Sequence, residues 1–226
     1  QSMASQRRLA TATILADGKV LASGGSPVWN EAANAERRAE IWNPATGQWT
    51  LGATGALPRL YHSIGLLLPD ASVMVGGGGA PGPYNNTDTE IYYPPYLFAA
   101  GGQRALRPSI ADGPTNIEIG RNFTLDVSGA ASVSRVTLVK TGSVTHGWNM
   151  DQRFLDLTFS ASGSRLTVQA PARAGDAPPG YYMVFVFDQA GVPSVAHITS
   201  MGIATNPNPG VLPTLVNPGN QDTLSG

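Results

Sequence analysis

The sequence predicts an all-β protein, and three observations carry that prediction. Charged residues make up 13% of the chain, about half the ordinary share. The 226 residues include 27 Gly and 18 Pro, so turns are frequent. Apolar residues fall in short alternating or continuous runs between those turns, without long stretches of helical period. A net charge of −1 gives no electrostatic case for nucleic acid or an anionic membrane surface. No apolar run approaches the ~18 residues of a membrane span. The sequence contains no cysteine, which excludes disulfides and thiolate metal sites within it. Gln1 stands where an initiator methionine is expected, and the expectation is a piece of a longer chain.

The first stretch reads as a repeat. Ala12-Thr13-Ile14-Leu15-Ala16-Asp17-Gly18-Lys19-Val20-Leu21-Ala22-Ser23-Gly24-Gly25 is a strand, an Asp-Gly turn, a strand and a glycine pair. Asp-Gly between apolar strands predicts a type I′ hairpin turn, which needs positive φ. The pattern returns at Leu66-Leu67-Leu68-Pro69-Asp70-Ala71-Ser72-Val73-Met74-Val75-Gly76-Gly77-Gly78. Glu40-Ile41-Trp42-Asn43-Pro44 is echoed by Glu90-Ile91-Tyr92-Tyr93-Pro94. A period of about 50 residues with hairpins, a glycine pair and a late aromatic is the kelch pattern. Asn43 to Trp49 closes the first unit with a turn and a last strand. A propeller ring needs roughly four to eight blades. Residues 1–98 are therefore expected to be the last kelch-like blades of an incomplete propeller, with upstream blades as their partner; a self-contained sandwich of two similar hairpin units is the alternative. Trp29, Trp42 and Trp49 are read as blade-packing residues.

The second stretch, 105–204, reads as an immunoglobulin-like β-sandwich. Phe123, Leu125 and Val127 alternate to one side, as do Val136 and Leu138, then Leu155, Leu157 and Phe159, then Leu166 and Val168. Tyr181 to Phe187 is almost continuously apolar, as a central strand should be. About seven short strands in roughly 100 residues fit that sandwich. Residues 205–226 have the composition of a linker followed by the start of a further domain.

The candidate chemistry sits in Arg59-Leu60-Tyr61-His62-Ser63, just before the apolar run Ile64 to Leu68, and in Thr145-His146-Gly147-Trp148-Asn149. The chain has three histidines. Two imidazoles with a phenol suit Cu(II), whereas zinc would ask for a third His or a carboxylate. Lone histidines are more often structural, so residue type alone leaves both readings open. Tyr61 and His62 are neighbours, and in a regular strand they would point to opposite faces. Both reach one metal only from a loop, which Pro58 upstream favours. Arg59 is expected to hydrogen-bond loop carbonyls and Asp70 to serve a turn. Asp151-Gln152-Arg153 is expected to brace the histidine loop. His197 is read as structural, and Trp148 fits a wall of the site or a loop anchor equally. Asn85-Asn86-Thr87 and Asn122-Phe123-Thr124 are glycosylation sequons.

Three segments in register resemble the galactose oxidase and glyoxal oxidase family of copper radical oxidases. Residues 59–70 with Gly76-Gly77-Gly78-Gly79 resemble its copper segment, and residues 145–153 its second histidine segment. Residues 179–187 with 190–196 resemble its C-terminal early-set sandwich. The resemblance implies a secreted enzyme with one copper ion that oxidises a primary alcohol or an aldehyde hydrate and reduces O₂ to H₂O₂. It implies His62 and His146 as equatorial nitrogen ligands. Tyr61 becomes the axial phenolate and general base for a small alcohol, aldehyde or carbohydrate substrate. The family's Tyr-Cys radical cofactor needs a cysteine this chain lacks, so it is expected from upstream sequence, and the chain alone is expected to be inactive. Leu9 aligns with an aromatic substrate contact of the family. The alternative is a non-catalytic kelch/immunoglobulin-like module that binds a carbohydrate or a cell surface.

Overall fold

The computed structural model describes residues 1–82 and 84–202, and the expected linker at 205–226 lies outside them. The chain is all-β. Its first half contains two antiparallel meanders. The first runs β1 (Thr11–Ile14), β2 (Val20–Ser23), β3 (Arg38–Asn43) and β4 (Gln48–Thr54), in that spatial order. The second runs β5 (Ile64–Leu67), β6 (Val73–Gly76) and β7 (Thr89–Tyr92). Alternating apolar residues drive both, with Leu21, Ile41, Val73 and Val75 facing inward and buried. Trp42 and Trp49 sit directly opposite each other on β3 and β4, their rings 6.4 Å apart, a cross-strand aromatic pair.

The hairpin turns of the two meanders match each other but not the expected type I′ geometry. Gly18 N–H donates to Leu15 O at 3.0 Å, and Ala71 N–H to Leu68 O at 2.9 Å. The left-handed residue is Gly18 (φ 85) in one and Ala71 (φ 65) in the other. Asp17 and Asp70 are not left-handed, so each loop has three residues and ends on an αL position. The aspartate side chains fix this form: Asp17 Oδ1 accepts from Lys19 N–H at 3.1 Å and Asp70 Oδ1 from Ser72 N–H at 3.0 Å.

The second half is a sandwich of more strands than the seven read from the sequence. In chain order the strands of this half are β8 (Ser109–Asp112), β9 (Asn116–Ile117), β10 (Asn122–Ser128), β11 (Val133–Lys140), β12 (Val144–Thr145), β13 (Trp148–Asn149), β14 (Phe154–Leu157), β15 (Phe159–Ser162), β16 (Arg165–Gln169), β17 (Gly180–Asp188) and β18 (His197–Met201), of which β12 and β13 form a separate two-stranded hairpin. One sheet is β15-β16-β10-β8 and the other β14-β11-β17-β18-β9. Leu155, Leu157 and Phe159 are not one strand: the chain changes sheet at Thr158, so Leu157 pairs with Val136 and Phe159 with Val168.

β17 explains the continuous apolar run. Tyr182, Val184 and Val186 face the sandwich core with Leu125, Val136, Leu138 and Leu166. Met183, Phe185 and Phe187 face the other way, into a second core with Leu15, Leu21, Ile41, Leu67 and Val73. A strand buried on both faces cannot alternate. The two halves are further tied at their turns: Thr137 Oγ1 donates to Ala16 O at 2.9 Å, Arg107 Nη1 to Asp70 O at 2.9 Å, and Ala196 N–H to Pro69 O at 2.8 Å.

Candidate functional site

His62 lies in a tight turn directly before β5. Ser63 N–H closes it on Leu60 O at 2.9 Å, and His62 has φ 67, the value a turn normally assigns to Gly or Asn. The turn is held by glycine backbone. Gly25 N–H donates to Arg59 O and Gly79 N–H to Tyr61 O, each at 2.6 Å. Gly24 and Gly78 must be bare: a Cβ would lie 2.5 Å from Arg59 O at the first and 2.8 Å from Leu60 N at the second. This is why both repeats end in glycines. Arg59, buried to 3% exposure, donates to Gly77 O at 3.1 Å, Asp88 O at 2.7 Å and Glu90 Oε2 at 2.8 Å. It thus bonds loop carbonyls as expected, with Glu90 as an added partner. Burial pushes the Glu90 carboxyl upward, but the Ala56 N–H, Arg59 and the Leu57 N–H outweigh that and hold it below its ordinary value.

His146 sits at the tip of the hairpin formed by β12 and β13. Thr145 pairs with Trp148, so His146-Gly147 is a two-residue loop, and both residues have positive φ (52 and 80). This is the type I′ geometry. The turn throws the imidazole outward. Thr145 Oγ1 lies 2.5 Å from His146 Nδ1; when Nδ1–H is the donor, Nε2 is the nitrogen left for a metal.

The hairpin packs against β1 and β5 and brings the rings together. Tyr61 and His62 stack at 4.0 Å between centroids, His62 meets His146 edge-on at 4.4 Å, and Tyr61 lies 6.1 Å from His146. Tyr61 and His62 share one side because the backbone there is a turn. Among the described residues no three of His, Cys, Asp and Glu cluster in a way that would hold a metal, so a cation at this cluster needs the phenol as a donor. Two imidazoles with a phenol match a Cu(II) donor set.

Trp29 corrects its reading as a packing residue. It is 60% exposed, and its ring lies 6.5 Å from Tyr61. The β2–β3 connection carries it over the turn because Asn30 clasps the site: Tyr61 N–H donates to Asn30 Oδ1 at 3.2 Å, and Asn30 Nδ2 to Gly79 O at 2.7 Å. Trp148 is 70% exposed and pairs across the hairpin. Two of the three expected bracing residues hold the hairpin: Asp151 pairs with Lys140 at 2.6 Å, and Gln152 bonds β1, whereas Arg153 Nη1 donates to the adjacent Gln152 O at 3.1 Å. His197 Nε2 lies 2.9 Å from Pro114 O, away from the cluster. Leu9 is half-buried in a left-handed conformation, φ 59. No helix of the described residues is long and apolar enough to cross a membrane.

Residues 107–201 match the family model "Galactose oxidase-like, Early set domain". A galactose oxidase of Gibberella zeae is 37% identical over 196 residues, covering 84% of this chain and 28% of that protein. The aldehyde oxidase GLOX of Vitis pseudoreticulata is 34% identical over 158 residues, covering 63% of this chain and 30% of that protein. The chain thus spans less than a third of the length of these two relatives. Among solved structures, a fungal alcohol oxidase in complex with copper superposes with a TM-score of 0.83 at 33% identity, covering 89% of this chain and 44% of that one. Residues 107–201 are therefore a galactose oxidase-like early-set domain, carried by a chain homologous to galactose oxidases and glyoxal oxidases.

Proposed function

We propose that this chain supplies His62, His146 and Tyr61 to a mononuclear copper centre of a secreted oxidase that converts primary alcohols or aldehydes and reduces O₂ to H₂O₂. The observation that carries the reading is the convergence of two imidazoles and a phenol from separate turns, with both histidines in left-handed conformations. A non-glycine residue held there costs of order 1–3 kcal/mol and persists where the surroundings impose it. Packing does not reward it here, since His146 is exposed. The copper-bound structural neighbour and the oxidase relatives support the same chemistry.

In this reading the two imidazoles and the Tyr61 oxygen hold the ion. Bound there, copper would supply a one-electron Cu(II)/Cu(I) couple, and transfer of two electrons and two protons from substrate to O₂ would need a second one-electron group beside it. Tyr61 accepts the substrate hydroxyl proton on its phenolic oxygen, and Trp29 walls the approach. The two meanders are kelch-like blades within 1–98, the sandwich occupies 105–204, and the first half meets further blades of the same protein. The chain contains no cysteine, so a Tyr-Cys radical cofactor requires sequence beyond it.

Copper titration followed by electron paramagnetic resonance tests the proposal. The expected result is one Cu(II) per chain with nitrogen hyperfine structure that is altered in both His62→Ala and His146→Ala. A spectrum indifferent to either substitution sinks it. Peroxide release from alcohols or aldehydes by the protein joined to its partner sequence tests the chemistry.

A further inference from the structure

We infer that Gln152 is a positioning residue that registers the His146 hairpin by acting as a surrogate strand on the edge of β1; the metal consequence rests on the copper reading above. β1 is the end strand of its meander among the described residues, with β2 on its other side. Its outward backbone groups at Ala12 and Ile14 thus lack a strand neighbour. The Gln152 carboxamide meets both: Oε1 accepts from Ile14 N–H at 2.6 Å, and Nε2 donates to Ala12 O at 3.0 Å. These are the two bonds, to the C=O of residue i and the N–H of residue i+2 of one strand, that a residue of an adjacent parallel strand would make.

The chemistry is specific. A carboxamide offers one acceptor and one donor side by side, as the C=O and N–H of a single strand residue do. Glutamate has the same shape but offers acceptors alone, and would set a carboxylate oxygen against Ala12 O. Methionine keeps the volume and offers neither bond.

The position of the peg gives it leverage. Gln152 follows β13 by three residues, and β13 follows His146-Gly147 directly. Lys140–Asp151 fixes the hairpin to its own sheet, and Asn149 Oδ1 accepts from Ser143 N–H at 3.0 Å within the hairpin. Gln152 is the side chain that bonds the hairpin stem to β1, in the half that carries Tyr61 and His62. The distance between the two imidazoles is therefore set across this contact.

The test compares Gln152→Glu, Gln152→Met and, as a control that leaves the peg intact, Asp151→Asn. In the metal-free chain, Ile14 amide exchange is read by NMR. Protection at Ile14 is expected to fall in Gln152→Met and to persist in Asp151→Asn. With Cu(II) added, both Gln152 variants are expected to bind about tenfold to a hundredfold more weakly and to lose the nitrogen hyperfine pattern of the second imidazole, while circular dichroism stays that of the parent. Parental copper affinity and hyperfine structure in Gln152→Met, or unchanged Ile14 protection, overturns the inference. If the parent chain shows no histidine-dependent copper signal, the copper reading fails, and Ile14 exchange alone decides for or against the peg.

Discussion

The two histidine turns reach the same backbone conformation by opposite means. His62 is held from within its own half, chiefly by backbone: glycines that admit no Cβ and main-chain bonds at 2.6 Å, to which the buried Arg59 guanidinium and the Asn30 carboxamide add bonds to main-chain groups. His146 is held from its own sheet and across the two halves by side chains, Lys140–Asp151 and the Gln152 carboxamide. The first turn is buried at Leu60 and Ser63, and the second is exposed at its tip. A buried turn can be fixed by excluding alternatives. An exposed hairpin has no surroundings to do this and needs directional bonds to a rigid neighbour. Substitutions at the first should therefore cost stability together with geometry, and those at the second mainly geometry.

Gly78→Ala tests the first half of that contrast with the largest effect. Its φ of 114 and a Cβ 2.8 Å from Leu60 N combine backbone strain and overpacking, for a loss of about 3 kcal/mol or more. Urea denaturation should show the loss, and copper binding should weaken with it because Tyr61 and His62 move. A variant as stable as the parent would break the comparison.

Arg59→Met comes next. It removes three hydrogen bonds and leaves Glu90 with its backbone partners, for an expected loss of about 2 kcal/mol, since Glu90 is partly exposed and partly screened. The pH dependence has a definite sign. The Glu90 carboxyl titrates below its unfolded value near 4.5, so its contribution is complete above that pH and is lost as pH falls through the lower folded value. Chemical denaturation between pH 3 and 6 should show the parent losing this increment at the acid end and Glu90→Gln showing a flatter profile. Identical slopes would remove Glu90 from the account of the turn.

Much of this was legible in the sequence. The repeated glycines marked the end of each hairpin unit, the three-segment resemblance nominated Tyr61, His62 and His146, and the continuous run at 181–187 announced a central strand. What was not legible depends on distance in the chain. The alternation Leu155, Leu157, Phe159 is the same whether a strand continues or changes sheet at Thr158, because period two records faces and not partners. Asp17-Gly18 and His146-Gly147 are both X-Gly pairs between strands. Only the pairing register, two residues against three, decides which becomes type I′. The bracing role of Gln152 was read from its place after the histidine loop, but its partner Ile14 lies 138 residues away and Trp29 reaches Tyr61 across 32 residues, pairings that no local pattern carries.

His146→Asn gives the smallest effect and the sharpest separation of the two turns. Asparagine is a preferred residue at the first position of a type I′ turn, and Asn-Gly is the strongest hairpin pair. The substitution loses the Thr145 contact at the exposed tip but relieves left-handed strain, for a net gain of about 0.5 kcal/mol. The variant should unfold at slightly higher urea than the parent and lose the contribution of one imidazole to the nitrogen hyperfine structure of its copper spectrum. Such a change, more stable and less able to bind, is what distinguishes a residue kept for a ligand from one kept for the fold. His62→Asn should not share the gain, because its ring stacks on Tyr61 at 4.0 Å inside a half-buried turn. Equal gains at both positions would erase the distinction between the backbone-held and the side-chain-held turn.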